Sequence, residues 1–211
     1  MKTFKSMAFF AIIMPLMLSC SGDGSTSDST LFGPLPEYFE QISAEQAKLK
    51  EDAKNIKSEA EKAELIKKSE EMKEKWGAKI EESAKALNGK PVEFAESNIK
   101  VTAPVSLEFD GFFSKSDMTP KFNVNGSAEA ASEINAGVDY VLPKEKVYVV
   151  GYNAEGQQVY KIDVGSIAVE NVDGKAVVKA GTPVVFSSFH MSDSKAAEYK
   201  AAKTVKLEVL R

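Results

Sequence analysis

The sequence predicts an α+β fold in which a long, charged α-helix precedes an antiparallel β-sandwich. Residues 43–89 keep helical spacing with no proline and with only one glycine, Gly77, before the last position. Beyond Gly89, apolar residues alternate with polar ones, as in half-buried strands. The strand-like runs are short, and turn signals separate them every ~8–12 residues, which is typical of sandwiches. The composition, 43% hydrophobic and 27% charged, is ordinary for a globular chain.

The first residues have the features of a segment that is removed during export. Lys2 and Lys5 precede an apolar run from Met7 to Leu18. This run is too short to cross a bilayer, which needs about 20 residues, and Pro15 within it disfavours a buried helix. Residues 1–19 are therefore predicted to be a signal peptide.

The single cysteine of the chain, Cys20, follows this segment in the sequence Met17-Leu18-Ser19-Cys20. The pattern resembles the lipobox of bacterial lipoproteins, which usually have leucine where this chain has Met17. The resemblance implies that Cys20 is the first mature residue and carries two or three acyl chains, which anchor a protein durably to a membrane. No aspartate follows Cys20 directly, which resembles lipoproteins sorted to the outer membrane. An outer-membrane location in the cell envelope, facing the periplasm or the cell surface, is expected.

Residues 20–36 are predicted to be a flexible, lipidated tether. The stretch Ser21–Thr30 is rich in serine, glycine, aspartate and threonine and offers little to bury. Its Asp28-Ser29-Thr30 sequence resembles the pattern at which some bacteria O-glycosylate exported proteins. This resemblance implies Ser29 as a glycosylation site.

Cysteine content and charge narrow the class of protein. With Cys20 lipidated, no cysteine remains for a disulfide, so core packing must hold the fold. The formal charge is 27 minus 31, or -4, and loss of Lys2 and Lys5 makes it 25 minus 31, or -6. A mildly acidic chain without a basic run lacks the electrostatic footprint of a nucleic-acid-binding protein.

The helix is predicted to occupy residues 37–89. Ser43-Ala44-Glu45-Gln46 matches a capping box, Pro36 offers an earlier start, and Gly89 with a following proline is a stop signal. The segment from Glu45 to Lys85 contains 11 acids and 11 lysines. Many lie three residues apart, where each pair adds about 0.2–0.5 kcal/mol. One continuous helix would be about 65 Å long.

A thin apolar stripe follows this helix at seven-residue intervals from Ile42 to Ala63, and after a three-residue shift it continues with Ile66, Ile80 and Leu87. Three interpretations are open. The stripe packs lengthwise on the chain's own β domain or, as a coiled coil, on a second copy. Alternatively, the helix is a rigid spacer, or it docks on another envelope protein. For docking, Met72 and Trp76 are the candidate contact residues.

Residues 90–211 are predicted to form the β-sandwich domain. Strands are expected at 99–109 with an interruption at Pro104, at 146–152, 159–164, 183–189 and 204–209, with turns at 153–157 and 171–175 and a short helix at 192–202. The Val-Tyr-Val-Val-Gly-Tyr-Asn-Ala-Glu-Gly hairpin resembles, loosely, those of the immunoglobulin-like sandwiches found in many bacterial lipoproteins. The resemblance implies an immunoglobulin-like arrangement and no particular activity.

The sequence contains no recognisable catalytic constellation. His190 is the only histidine, and we expect it to be partly buried at a strand-helix junction. No Gly-x-Ser-x-Gly elbow is present, and one histidine with one cysteine is too few for a zinc site. The Asp110-Gly111 and Asp173-Gly174 pairs are turn dipeptides before they are calcium ligands. We therefore expect no enzyme, no metal and no cofactor.

Two adjacent phenylalanines, Phe112 and Phe113, are further candidate contact residues. Neighbours in extended backbone face opposite sides, so both cannot enter one core. One of them is expected to be exposed, in a loop beside Gly111. Other aromatic residues nearby, such as Phe109 and Tyr148, fill the core or line a sugar-binding face.

Together, these features predict a lipid-anchored cell-envelope protein with a non-enzymatic binding or structural role, which presents a β-sandwich away from the membrane. Its expected partners are the membrane and a protein or glycan. The alternative is an accessory subunit that docks its long helix on an envelope transport or assembly complex. A hydrolase that uses acidic residues is a third hypothesis, for which the sequence offers no carboxylate pair.

Overall fold

The computed structural model describes residues 31–114, 118–137 and 143–210, and it confirms the α+β class. Cys20, Ser29 and the predicted signal peptide lie outside these residues. Two helices come first, α1 (Leu35–Lys54) and α2 (Glu59–Lys85), and a short α3 (Ala196–Ala201) precedes the last strand. The strands in the described part are β1 (Ile99–Ser114), β2 (Thr119–Ala130), β3 (Ile134–Gly137), β4 (Lys144–Tyr152), β5 (Gln158–Ala168), β6 (Glu170–Val172), β7 (Lys175–Val178), β8 (Val184–Phe186), β9 (Phe189–His190) and β10 (Thr204–Glu208).

The prediction of one long helix over residues 37–89 is wrong. The helix stops at Lys54 and restarts at Glu59, because Ser58 caps the second helix. The Ser58 hydroxyl accepts from the backbone N–H of Glu61 at 3.2 Å, and the Glu61 carboxylate accepts from the N–H of Ser58 at 3.1 Å. This reciprocal capping box satisfies two helix-end donors. Ser43, which has the same local signal, lies exposed inside α1.

The two helices form an antiparallel hairpin, so the charged segment folds back on itself. Glu45 of α1 contacts Lys75 and Trp76 of α2. The base of the hairpin packs on the β part: α2 lies on β1 and β2, and α1 lies on α3. At this base Ile80 and Ala84 are fully buried. At this base the helices pack on the chain's own β part, which is one of the three interpretations of the apolar stripe.

The predicted tether is too long at its C-terminal end. Phe32 is 1% exposed and Leu35 is fully buried, so the core already includes residues before position 36. The ring of Phe32 packs against Tyr199 at a centroid distance of 5.0 Å and against Phe189 at 6.1 Å. Burying a phenylalanine is worth about 1.5–3 kcal/mol, which a polar linker composition cannot outweigh.

The strands form three antiparallel sheets, one of them curled into a half-barrel. Their orders are β1-β2-β9, β10-β4-β5-β8 and β3-β7-β6. The predicted two-sheet, immunoglobulin-like sandwich is not shown by this arrangement. The predicted turn at 153–157 is confirmed, with Gly156 at a φ of 75°, and the turn at 171–175 is confirmed with Asp173 at 53° and Gly174 at 78°.

The predicted strands of the first sheet differ from the observed ones in length. Pro104 does not end a strand; instead, β1 continues through it with register shifts between Val101 and Ser106. A proline is tolerated at such an irregularity because its missing N–H leaves no ladder bond unmade. The predicted strand 183–189 is divided between β8, which pairs with β5, and β9, which pairs with β2. β9 is therefore an edge strand of the first sheet, beside β2.

Candidate functional site

Phe113 and His190 form an exposed aromatic stack, which we call the aromatic plate. Their ring centroids are 4.6 Å apart and the ring planes differ by only 14°. Phe113 is 67% exposed and His190 is also exposed. The expectation that His190 is partly buried is therefore wrong. The stacked pair therefore presents an aromatic surface to solvent.

Alternation along the end of β1 separates the two neighbouring phenylalanines. Phe112 is half-buried and packs edge-on against Phe109 at 5.5 Å, whereas Phe113 faces out. The prediction that one of the pair is exposed is confirmed. Their placement in a loop is wrong, because both lie in β1, beside a Gly111 with a φ of 83° and a register shift between Phe109 and Phe112.

The opposite face of the same three strands holds the plate in position. Phe109, Phe122 and Phe189 form an aromatic row with centroid distances of 6.1 Å and 5.7 Å. The register pairs Phe122 with Phe189 and Lys121 with His190. Burial of Phe122 and Phe189 therefore fixes the short strand β9 against β2, and His190 must then point to the outer face.

Four polar side chains continue the outer face of β1 and β2, and we call them the polar ladder. Lys121 Nζ donates to Asp110 Oδ2 at 2.7 Å. Asn125 Nδ2 donates to Glu108 Oε2 at 2.9 Å. The hydrogen bond and charge of Lys121 hold the pKa of Asp110 below its usual value. Each carboxylate of the ladder thus has a donor partner and still keeps lone pairs that face solvent.

A polar cleft of about 410 Å³ adjoins the plate, and His190 belongs to its lining. Its lining includes exposed Ser187 and Ser188, and also Asp163 of β5. Asp163 accepts a 2.6 Å hydrogen bond from Lys146, which raises the pKa of that lysine. The volume falls within the range of about 300–1,000 Å³ that small-molecule sites occupy.

Met72 and Trp76, the candidate contact residues of the predicted helix, are buried. Met72 is 7% exposed and Trp76 is 1% exposed, because both face α1 inside the helical hairpin. The Trp76 indole N–H is taken by Glu45, at 2.9 Å. In the folded hairpin these two side chains therefore have little surface open to a partner, and contact of a partner with them stays a prediction.

A second, larger groove lies where the described chain begins. It has a volume of about 610 Å³ and is bordered by Leu31, Phe94 and Val205. Its other apolar lining comes from the segment that connects α2 to β1 and from β1 itself. The entry of the chain into the fold is thus placed beside an apolar recess.

Sequence reasoning found Phe113 but missed its stacking partner. Phe113 follows from strand alternation alone, whereas the position of His190 depends on the pairing of β9 with β2. β2 itself was not expected, since Asn123, Asn125 and Gly126 give its sequence the composition of a loop. No local signal could have brought His190 beside Phe113.

Within residues 31–114, 118–137 and 143–210, no group of three or more His, Cys, Asp or Glu side chains could hold a metal ion. None of the helices in this part of the chain is both long and apolar enough to span a bilayer. Compared with known proteins, the chain matches no family model, no curated protein and no solved structure.

Proposed function

We propose that this protein is a lipid-anchored component of the cell envelope with a non-enzymatic binding role, held at the membrane by Cys20. The observation that carries the binding role is the aromatic plate, whose two rings stack on the outer face of the sheet and stay open to solvent. Exposed aromatic rings with polar neighbours are typical of recognition surfaces. The immunoglobulin-like relationship stays a proposal for the β part, supported by the β4–β5 hairpin sequence.

The distance between the anchor and the fold supports this arrangement. The chain is built into the core from Phe32 onward. Residues 20–31 can span at most about 40 Å, at ~3.3–3.6 Å per residue. The β part would therefore work within about 40 Å of the membrane surface, with an acyl-modified Cys20 at the other end of the span.

A non-enzymatic role is supported by the use of the single histidine. His190, the only histidine of the chain, stacks one face of its ring on Phe113. Asp110 of the polar ladder and Asp163 of the cleft are paired with Lys121 and Lys146. This arrangement favours a surface that holds a ligand over a site that transforms one.

Replacement of Cys20 tests the anchor. In cells, the Cys20→Ser protein should move from the membrane fraction to the soluble fraction, and its mass should show no acyl chains. Ser29→Ala is the matched control, because it changes a neighbouring hydroxyl and should leave the protein in the membrane. It should also remove any glycan mass if Ser29 is glycosylated. Membrane retention of Cys20→Ser protein in high salt would contradict the proposal.

The alternative, an accessory subunit that docks its helices on an envelope complex, is favoured by one observation. Ile66 is 52% exposed on α2 near the hairpin turn, and Ile56 and Leu65 border a cavity of about 560 Å³ there. A photo-crosslinking residue placed at position 66 should then form a covalent adduct with another envelope protein in cells. A crosslink to a second copy of the chain would instead indicate self-association, and no adduct would exclude docking through this tip.

A further inference from the structure

The aromatic plate and its polar surroundings point to one class of ligand. We propose that the plate, the polar ladder and the adjoining cleft together bind a neutral glycan chain. This inference deepens the binding role proposed above and rests on it. It assigns a ligand to Phe113 and His190.

Phe113 differs in kind from the other large apolar side chains that are exposed. The described chain exposes four large hydrophobic side chains, Ile66, Phe113, Val172 and Val185, and Phe113 is the aromatic one among them. The plate is small and is bordered by charged groups, whereas a protein interface needs about 800 Å² per partner with an apolar centre. A sugar ring is amphipathic on the same small scale: its C–H groups present a flat apolar face, and hydroxyls surround it.

The hydrogen-bonding groups around the plate are of the types that bind sugar hydroxyls. Sugar hydroxyls both donate and accept, so they suit sites that mix carboxylates, amides and hydroxyls. Asp110 and Glu108 keep free lone pairs after their bonds to Lys121 and Asn125. The exposed hydroxyls of Ser187 and Ser188 line the cleft to which His190 also belongs. The ladder and the cleft therefore both supply hydrogen-bonding groups that an extended chain of sugars can use.

The charged groups beside the plate also bear on the kind of ligand. Asp110 is paired with Lys121 and Asp163 with Lys146, at 2.7 Å and 2.6 Å. An anionic polymer would meet the carboxylates of Asp110 and Glu108. A cationic polymer would meet these lysines and two more in the lining of the cleft, Lys161 and Lys195. A neutral, polyhydroxylated ligand is repelled by neither set of charges. The surface thus matches a neutral glycan better than a charged polymer.

The experiment uses the full mature chain, solubilised in detergent, in native gels that contain a soluble neutral polysaccharide. Dextran, mannan, xylan and galactan are the neutral probes, and polygalacturonate is the anionic probe. We expect at least one neutral probe to retard the protein and Phe113→Ala to weaken that binding about tenfold or more, the loss typical when a central aromatic contact is truncated. His190→Ala should weaken it as well, and Phe113→Trp should preserve it.

Controls separate this proposal from its competitors. Ile66→Ala also removes an exposed apolar side chain, far along the helical hairpin, and should bind as the unmodified protein does. No retardation by any neutral probe, retardation by polygalacturonate alone, or equal binding of Phe113→Ala would overturn the proposal. A monomer-dimer shift caused by Phe113→Ala in sedimentation would assign the plate to self-association instead. Membrane anchoring of Phe113→Ala should be unchanged, so the anchor and the ligand are tested separately.

Discussion

The indole N–H of Trp76 donates a 2.9 Å hydrogen bond to the carboxylate of Glu45, and this bond joins the two helices of the hairpin. The same carboxylate accepts from Lys75 at 3.0 Å. Lys75 and Lys79 also lie over the Trp76 ring, at 4.7 Å and 4.8 Å from its centroid. The hydrogen bond from Trp76, followed by that from Lys75, lowers the pKa of Glu45. The bond thus ties the charged surface of the hairpin to its only tryptophan.

Removal of the Glu45 carboxylate should destabilise the hairpin. Glu45→Ala leaves the buried indole N–H without its acceptor, which should lower the free energy of unfolding by about 1–2 kcal/mol in urea titrations. Glu64→Ala is the control, because Glu64 pairs with Lys68 at 3.9 Å on an open surface and should cost less than about 0.5 kcal/mol. Equal losses in the two variants would show that the Trp76 bond contributes nothing.

The same bond should make stability depend on pH. The folded-state pKa of Glu45 lies below its ordinary value of 4.5, so its contribution is present above pH 4.5 and is lost as pH falls through the folded value. The difference in unfolding free energy between the unmodified chain and Glu45→Gln should therefore be largest near pH 7 and should shrink toward pH 3. A difference that does not vary with pH would contradict this linkage.

Two serines with the same local sequence signal should respond differently to substitution. Ser58→Ala removes the cap of α2 and should cost about 1 kcal/mol of stability. Ser43→Ala changes an exposed position inside α1, where alanine is the better helix former, so stability should stay equal or rise slightly. Thermal denaturation of both variants decides the matter, and the reverse order would restore Ser43 as a helix start.

The position of the first core residue sets the limit for truncation. A chain that begins at residue 31 should unfold at the same urea concentration as the mature protein. A chain that begins at residue 37 loses Phe32 and Leu35, both buried, and should be at least about 3 kcal/mol less stable. Equal midpoints for the two truncated chains would mean that these side chains add no stability.

Structural features that depend on neighbouring residues can be predicted from the sequence, whereas features that depend on contacts between distant residues cannot. The turns around Gly156 and Asp173 follow from local chemistry, and both are confirmed. The choice between Ser43 and Ser58 as a cap does not, because both open a capping-box pattern. Burial of Phe39 and Ile42 carries α1 past Ser43, and no such contact spans Ser58.

The same distinction applies to the candidate site. Exposure of Phe113 follows from alternation, which needs only its own strand. The polar ladder and the position of His190 require β2, whose pairing with β1 joins residues as far apart as Ile99 and Ala130. Pairing of this kind is set by tertiary context more than by strand propensity, so it cannot be predicted from short segments of the sequence.

The burial of Phe32 also has a mechanical consequence. Its ring contacts Phe189, the neighbour of His190, at 6.1 Å, and Tyr160 at 6.3 Å. A pulling force applied to the chain before residue 31 would reach this buried aromatic cluster first, before it reaches α1. Tension on the leading end of the chain would then be felt within one residue of the aromatic plate.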